Sequence, residues 1–419
     1  MSAADPPLRV LHVSHTAHAG GAELALARLL SQEPPWSATV CAPAAVDSPA
    51  AVGSPAAVGS PAAVDSPAAV GSTAAGDAFA PLERRGVEVR RCLPELPTGG
   101  TRGRDPVLAA RYLAALWAGA RALRSSSLLG EADVVHANTA AAAIMCALAI
   151  RGASVPLVVH LRDLVTAESL GRFALAAFSG TALRRAGGAI ANSRSTLESA
   201  AGRLSPAVPG VVIPSPIGLT RPATPPTVRR TVRTVGMLGR LQPWKGQHVF
   251  LEAFARAFAG TDVRAHLAGA ALFGATGYAE ELRRRAGELG ISDQVTFLGH
   301  VADVASFLDS VDVVVHASTR PEPLGQAVLQ GLAYGRPVIA SAGGGPGEWI
   351  TSGVNGLLVE PGDPAALAAA LTELAGSYEL RARLAAAAFR TTGILTDREC
   401  AAAHGEFFRA VSRRGRAAA

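Results

Sequence analysis

At 419 residues, 49% of them apolar, the chain is long enough for two domains of ordinary size, each with its own core. Its formal charge of +6 comes from arginines scattered along the sequence, with small clusters such as Arg283-Arg284-Arg285. This pattern reads as a solvated surface, or as affinity for an anionic phosphate ligand or membrane face. It excludes nucleic acid, because no basic stretch is interleaved with stacking aromatics.

The first elements alternate. LRVLHVS (8–14) reads as a buried strand, GGAELALARLLS (20–31) as a helix and SATVCAP (37–43) as a strand. Residues 42–77 then repeat with a period of six around PAAVGS and PAAVDS. Pro, Ala, Gly and Ser cannot bury enough surface to offset the ordering entropy, so this tract is expected to be a disordered insertion. GVEVRRC (86–92) is a strand, 105–124 a helix, ADVVHAN (132–138) a strand, AAAIMCALAIRG (141–152) a helix and PLVVHLRD (156–163) a strand. FALAAFSGTALRRA (173–186) continues as helix, GGAIANS as strand and STLESAAGR as helix. Pro and Thr dominate 216–230, which reads as a linker between an N-terminal domain (1–215) and a second domain (231–395).

The second series runs TVRTVGMLGR (231–240), helix 246–259, VRAHLAG, helix 278–289, QVTFLGH, helix 303–309, VDVVVHAS, helix 324–334, RPVIASAGG and NGLLVE. A C-terminal helix and tail occupy 396–419. Short β-branched runs separated by helices predict parallel sheets covered on both faces: two doubly wound Rossmann-like α/β domains, facing each other across a cleft at the carboxyl ends of their strands.

The cysteines Cys41, Cys92, Cys146 and Cys400 are far apart in sequence, with neither metal nor redox spacing, and read as reduced thiols of a cytosolic protein. The N-terminus lacks a leader pattern, and the longest apolar run (140–150) is too short for a bilayer. The expected location is cytoplasmic, with peripheral contact at a membrane surface left open. Tyr112, Trp117, Arg111, Arg121 and Arg124 on the helix 105–124 would make such contact, against the plainer expectation that its apolar residues are core.

Mapping polar residues onto strand ends leaves few candidates for chemistry. In the first domain Gly20 and Gly21 open a helix after the first strand, where amide N–H groups could face an anion. His160 ends a strand and should point into the cleft, with Arg162 and Asp163 behind it. In the second, Arg240 and Lys245 flank the loop after the first strand, between Gly239 and Gly246. Lys245 is the only lysine in a chain otherwise drifted to arginine. A compact ammonium reaching one diphosphate oxygen through a crowded gap is a role the broader guanidinium would not fill. Pro321 and Pro323 hold Glu322 in a turn before a helix whose first amides, Leu324, Gly325 and Gln326, would bind a phosphate or a sugar hydroxyl. Gln330 follows two turns on.

With these residues in hand, nearly the whole chain except the hexad tract resembles the retaining glycosyltransferases of family 4, of GT-B fold. The matching pieces are GGAE at 20–23, VVH at 158–160, ANS at 191–193, VIPSPIG at 212–218 and GRLQPWKG at 239–246. VTFLGHV at 295–301, PEPLGQAVLQGLAYGRPVIAS and GGPGEWI complete the set. The resemblance implies that Arg240 and Lys245 hold the diphosphate of a UDP- or GDP-sugar, that Glu322 binds the transferred sugar, and that Gly299 and Val301 face the nucleobase. Gly20 and Gly21 would close over the phosphates, His160 would approach the reacting centre, and His136, Arg162 and Asp163 would lie on the acceptor side. It implies no cofactor beyond the nucleotide-sugar co-substrate and no metal. The sequence departs at Gln330, where the family has a second Glu for the ribose, and at Ser215-Pro216, where Asn-Gly is common. A catalytically impaired nucleotide-sugar-binding protein and a nucleotide-sugar epimerase remain the alternatives.

Overall fold

The computed structural model describes residues 7–44, 76–97, 106–271 and 276–418. The hexad tract falls almost wholly outside them. The chain divides into two compact units. One holds the residues up to Gly218 together with Leu395 onward, and the other holds Leu219–Ile394.

In the first unit seven strands form one parallel sheet: β1 (Arg9–Val13), β2 (Ser37–Pro43), β3 (Glu88–Leu93), β4 (Val134–Ala137), β5 (Leu157–Leu161), β6 (Ala186–Ala191) and β7 (Gly210–Val212), in the order β3-β2-β1-β4-β5-β6-β7. The strand sequences are apolar on both faces because both are covered. Leu11, Val13, Val135, Val159 and Ala189 face helices Pro106–Ser125 and Ala140–Ala149. The alternate residues Val10, Val134, Val158 and Ile190 pack with Leu26, Phe408 and Val411. The last two belong to the C-terminal helix Asp397–Ala418, which therefore covers the first sheet. The expected C-terminal helix is thus a structural layer of the first unit.

The second unit repeats the plan with β8 (Thr234–Leu238), β9 (Arg264–Ala268), β10 (Val295–Gly299), β11 (Val313–His316), β12 (Val338–Ser341) and β13 (Leu357–Val359), all parallel in the order β10-β9-β8-β11-β12-β13. In each sheet the strand order reverses beside the first strand, between β1 and β4 and between β8 and β11. Loops leaving those carboxyl ends diverge and open a crevice, the place where doubly wound sheets bind ligands.

Three readings change. The helix expected over 173–186 is α-helical only for Arg172–Phe178, then loosens into a π-turn over Ser179–Leu183. The short helix Ala80–Arg84 and the strand β7 carry too little periodicity to be read. The units part at Gly218, inside the expected linker, whose far end is held where the Arg381 guanidinium donates to the carbonyls of Arg229 and Arg230 at 3.0 and 2.7 Å. Among the described residues no helix is long and apolar enough to cross a membrane.

Candidate functional site

The second unit gathers its candidates at the β8–β11 switch point. After β8 the chain runs through Gly239 and Arg240 into a single 3-10 turn, Pro243–Lys245, that Gly246 ends in the left-handed region at φ 75°. Any Cβ there would lie 1.8 Å from the Ala317 carbonyl oxygen beyond β11, so only glycine lets the two loops touch. The Thr319 amide then donates to the Trp244 carbonyl at 2.9 Å, stitching them together.

This stitching puts Lys245 Nζ 2.5 Å from Glu322 Oε1. The other carboxylate oxygen, Oε2, lies 2.6 Å from His316 Nε2 and accepts from Ser318 Oγ at 2.7 Å. Burial alone would raise the Glu322 pKa, but Lys245 and His316 outweigh it and hold the carboxyl well below its usual range. Lys245 also stands 4.3 Å over the Trp244 ring, whose neighbour Arg320 sits at 4.8 Å. Glu322 is placed by its own backbone. Its carbonyl accepts from the Gly345 amide at 2.8 Å, and a Cβ on Gly344 would meet that carbonyl at 2.1 Å. The glycine run 343–345 is thus a cradle for the Glu322 turn.

Gly325, in the left-handed region, caps the helix Gln326–Tyr334, so helical amides begin at Gln326 and Leu324 lies in the buried turn before it. Gln330 is buried on this helix at 3% exposure. Gly239 and Gly299 end strands on either side of β9: the Gly239 amide donates to Ala268, and Gly269 donates to the Gly299 carbonyl at 2.7 Å. Gly299 is exposed and Val301 half-buried. The structure therefore brings Lys245 and Glu322 into contact, with the Arg240 carbonyl fixed by Gln247 at 2.8 Å. His316, Ser318, Trp244 and Arg320 join them. Sequence reading had not singled these out, although a His closing a strand six residues before Glu322 was a usable signal.

In the first unit Gly20 caps and Gly21 begins the helix Gly21–Leu30. Of the candidates behind them, His136 and His160 are buried. His160 was expected to point into a cleft. Instead it is 2% exposed and ends a buried line of imidazoles, since its position on β5 shares a sheet face with His12 and His136. Trp36 Nε1 donates to His12 Nε2 at 3.0 Å, His12 Nδ1 meets His136 Nδ1 at 2.9 Å, and His136 Nε2 meets His160 Nδ1 at 3.1 Å. The indole can only donate, and this fixes every tautomer in turn: His12 and His136 each accept on one side and donate on the other, and His160 accepts at Nδ1, which leaves its proton on a buried Nε2 that has no hydrogen-bond partner among the described residues. Burial depresses all of these rings, His12 to about 3 and His136 and His160 well below the usual value, with neighbouring His and Arg162 adding to it. His404 of the C-terminal helix closes the cluster, its ring 5.6 Å from that of His160.

Arg162 likewise is a strut. Its guanidinium donates to Asn138 Oδ1 at 3.0 and 2.8 Å and to Ser215 Oγ at 3.2 Å, and its carbonyl accepts from Asn192 at 3.1 Å. It thereby ties together the segments that follow β4, β5, β6 and β7, and it explains why the segments around Asn192 and Ser215 stand out in the sequence. His136 is thus buried in the domain, Arg162 is a partly buried strut, and Asp163 is exposed.

The fold and the β8–β11 site define a two-domain GT-B protein. Residues 226–391 match the family model for glycosyl transferases group 1, and residues 56–216 match the glycosyl transferase 4-like domain. The chain belongs to the group 1 glycosyltransferases. Among curated relatives, the lipopolysaccharide core biosynthesis glycosyltransferase LpsE of Rhizobium meliloti is 37% identical over 151 residues, 35% of this chain and 41% of that protein. D-inositol 3-phosphate glycosyltransferase of Geodermatophilus obscurus is 36% identical over 163 residues, 37% of this chain and 35% of that protein. The chain therefore spans well under half the length of these curated relatives. Anabaena HepE, solved in complex with UDP and glucose, is 25% identical with a TM-score of 0.73, covering 96% of this chain and all of that one. Sucrose-phosphate synthase from Thermosynechococcus elongatus shares the fold at a TM-score of 0.71 and 18% identity, over 96% and 99% of the two chains.

Proposed function

We propose that this protein transfers a sugar from a nucleotide-sugar, a uridine diphosphate sugar in the first instance, to an acceptor with retention of configuration. The observation that carries this reading is the Lys245–Glu322–His316 cluster at the β8–β11 switch point. A cation that can neutralise a leaving diphosphate stands against a carboxylate that can hold sugar hydroxyls. The HepE complex with UDP and glucose supports the choice of donor. Arg240 and the amides from Gln326 onward complete the anion site, and electrostatic stabilisation of the departing diphosphate is the main catalytic term. In this reading the acceptor attacks from the face the diphosphate leaves, and a phosphate oxygen takes its proton.

The acceptor is proposed to lie at a membrane surface. On helix Pro106–Ser125, Leu116, Ala120 and Leu123 are core as expected, but Val107, Leu113 and Trp117 are exposed alongside Arg111, Arg121 and Arg124. Phe173 is 78% exposed on helix Arg172–Phe178, beside Arg172, and both helices pack on Ala140–Ala149. Aromatic wedges among arginines, with Glu168 the nearby acid on Ala167–Leu170, suit an anionic lipid surface.

Calorimetric titration with UDP and UDP-glucose, followed by assay of UDP release, tests the donor reading. No binding of either would overturn it. Sedimentation with anionic vesicles tests the surface, and a Trp117→Ser, Phe173→Ser variant that sediments like wild type would remove it.

A further inference from the structure

Cys41 and Cys92, 51 positions apart in sequence and both free thiols, are neighbours in the fold. They lie on the adjacent parallel strands β2 and β3 with their sulfurs 2.9 Å apart. The register explains why. Cys41 pairs with Arg90, Ala42 with Arg91 and Pro43 with Leu93, so Cys92 is the extra residue of a bulge. Cys92 therefore stands diagonally across from Cys41 rather than opposite it, and the bulge brings the two sulfurs to 2.9 Å, close to the ~2.05 Å of an S–S bond. The two thiols differ in surroundings: Cys41 is fully buried in the core and Cys92 is exposed.

We infer that Cys41 and Cys92 form a reversible dithiol–disulfide site, in which Cys92 attacks a low-molecular-weight disulfide and Cys41 resolves the product. In the first step the Cys92 thiolate bonds to one sulfur of the small disulfide and expels the other as a thiolate, which takes a proton. Cys41 then attacks the Cys92 sulfur, expels the second small thiolate and gives it its proton. Both cysteines end oxidised, and one small disulfide is reduced to two thiols. The roles follow from access and acidity. Cys92 is the reachable sulfur, and the hydrogen bond from Cys41, with Arg90 adding, draws its pKa down to about 7. The same contact and burial push Cys41 up, so it is the poor first nucleophile and the poised second one.

The site is wired to the loop after β1. Arg91, next to Cys92, pairs with Asp77 at 2.6 Å and Glu83 at 3.0 Å. Residues 76–78 in turn hold that loop through Ala19 N to Gly76 O and Ala78 N to Ala17 O, at 3.2 and 2.9 Å. Closing the bulge therefore bears on the backbone leading to Gly20 and Gly21.

The full chain, reduced and then treated with oxidised glutathione, should lose two of its four titratable thiols and two hydrogens of mass. Peptide mapping should link the Cys41 and Cys92 peptides, and dithiothreitol should reverse the change. Cys92→Ser, at an exposed position, should abolish the loss. Cys41→Ser, if it folds by circular dichroism, should trap glutathione on Cys92. Four unchanged thiols, a glutathione adduct that persists on wild-type Cys92, a link to Cys146, or oxidation that survives Cys92→Ser would each overturn the inference.

Discussion

Lys245 already has an anionic partner in Glu322, so a diphosphate arriving at the site meets a neutralised cation with a carboxylate beside it. Glu322 should therefore oppose the bare nucleotide and favour only a nucleotide that carries a sugar. Replacing it by Gln is expected to tighten UDP by about 3- to 10-fold, or roughly 0.7–1.4 kcal/mol. UDP-sugar turnover should fall by about 100-fold, because the lost contact lies near the developing charge. Calorimetry with UDP alone decides it: weaker UDP binding in Glu322→Gln would mean that the carboxylate does not compete. Lys245 is also confined, at 15% exposure between Trp244 and Glu322. Lys245→Arg should lower turnover by at least ~10-fold, since a planar fork cannot recover a contact shaped for a point charge. Gln330→Glu tests the departure from the family pattern. If ribose hydroxyls meet it, donor binding should tighten by roughly 0.5–1.5 kcal/mol. Without nucleotide the new buried carboxylate should lower the melting temperature, and a variant that binds donor like wild type would place Gln330 away from the ribose.

The C-terminal helix Asp397–Ala418 shows how far elements can be read. Its existence was legible, but its partner was not, because an amphipathic stripe says that a face is buried and not against what. Phe408, fully buried against β-strand residues of the first sheet, is the test. Phe408→Ala should cost about 3–5 kcal/mol and lower the first unit's melting transition while leaving the second unit's in place. Strands such as β4 and β11 were legible because short β-branched runs buried on both faces admit few other readings. The site divided on the same principle. Lys245 and Glu322 stood out by rarity and by flanking glycines and prolines, whereas the imidazole line needed the strand order β1-β4-β5, which no local pattern contains. The repeated apolar-apolar-His triplets VLH (10–12), VVH (134–136) and VVH (158–160) were its trace; His160 was taken up from its place at a strand end and His136 as an acceptor-side candidate, but nothing local joined them to His12.

For the whole molecule, the buried histidines set a dependence on pH. His12 is held near 3 and His404 and His15 near 4, each first by burial, while His136 and His160 lie well below their usual value. In the unfolded chain each would titrate near ~6.5. Between that value and the folded ones the unfolded state binds more protons, so stability is full above about pH 6.5 and is lost as pH falls toward about 4. Each ring adds a slope of up to about 1.4 kcal/mol per pH unit. All five belong to the first unit, which pairs two separately folded sheets in one chain with unequal acid sensitivity. The second unit's His248 and His266 are lowered less and are partly exposed, and Glu322, whose pKa is depressed, withdraws its stabilisation only as pH falls below the ordinary carboxylate value. Calorimetric scans from pH 7.5 to 5 should therefore show one transition moving down faster than the other, the faster one being that which Phe408→Ala shifts. His404→Phe removes one titrating ring and keeps an aromatic beside Phe408, so it should flatten that transition's pH slope by up to one ring's worth. If the two transitions fall in parallel, or the slope is unchanged in the variant, then the rings are hydrated enough in the native protein to take up protons as freely as in the unfolded chain.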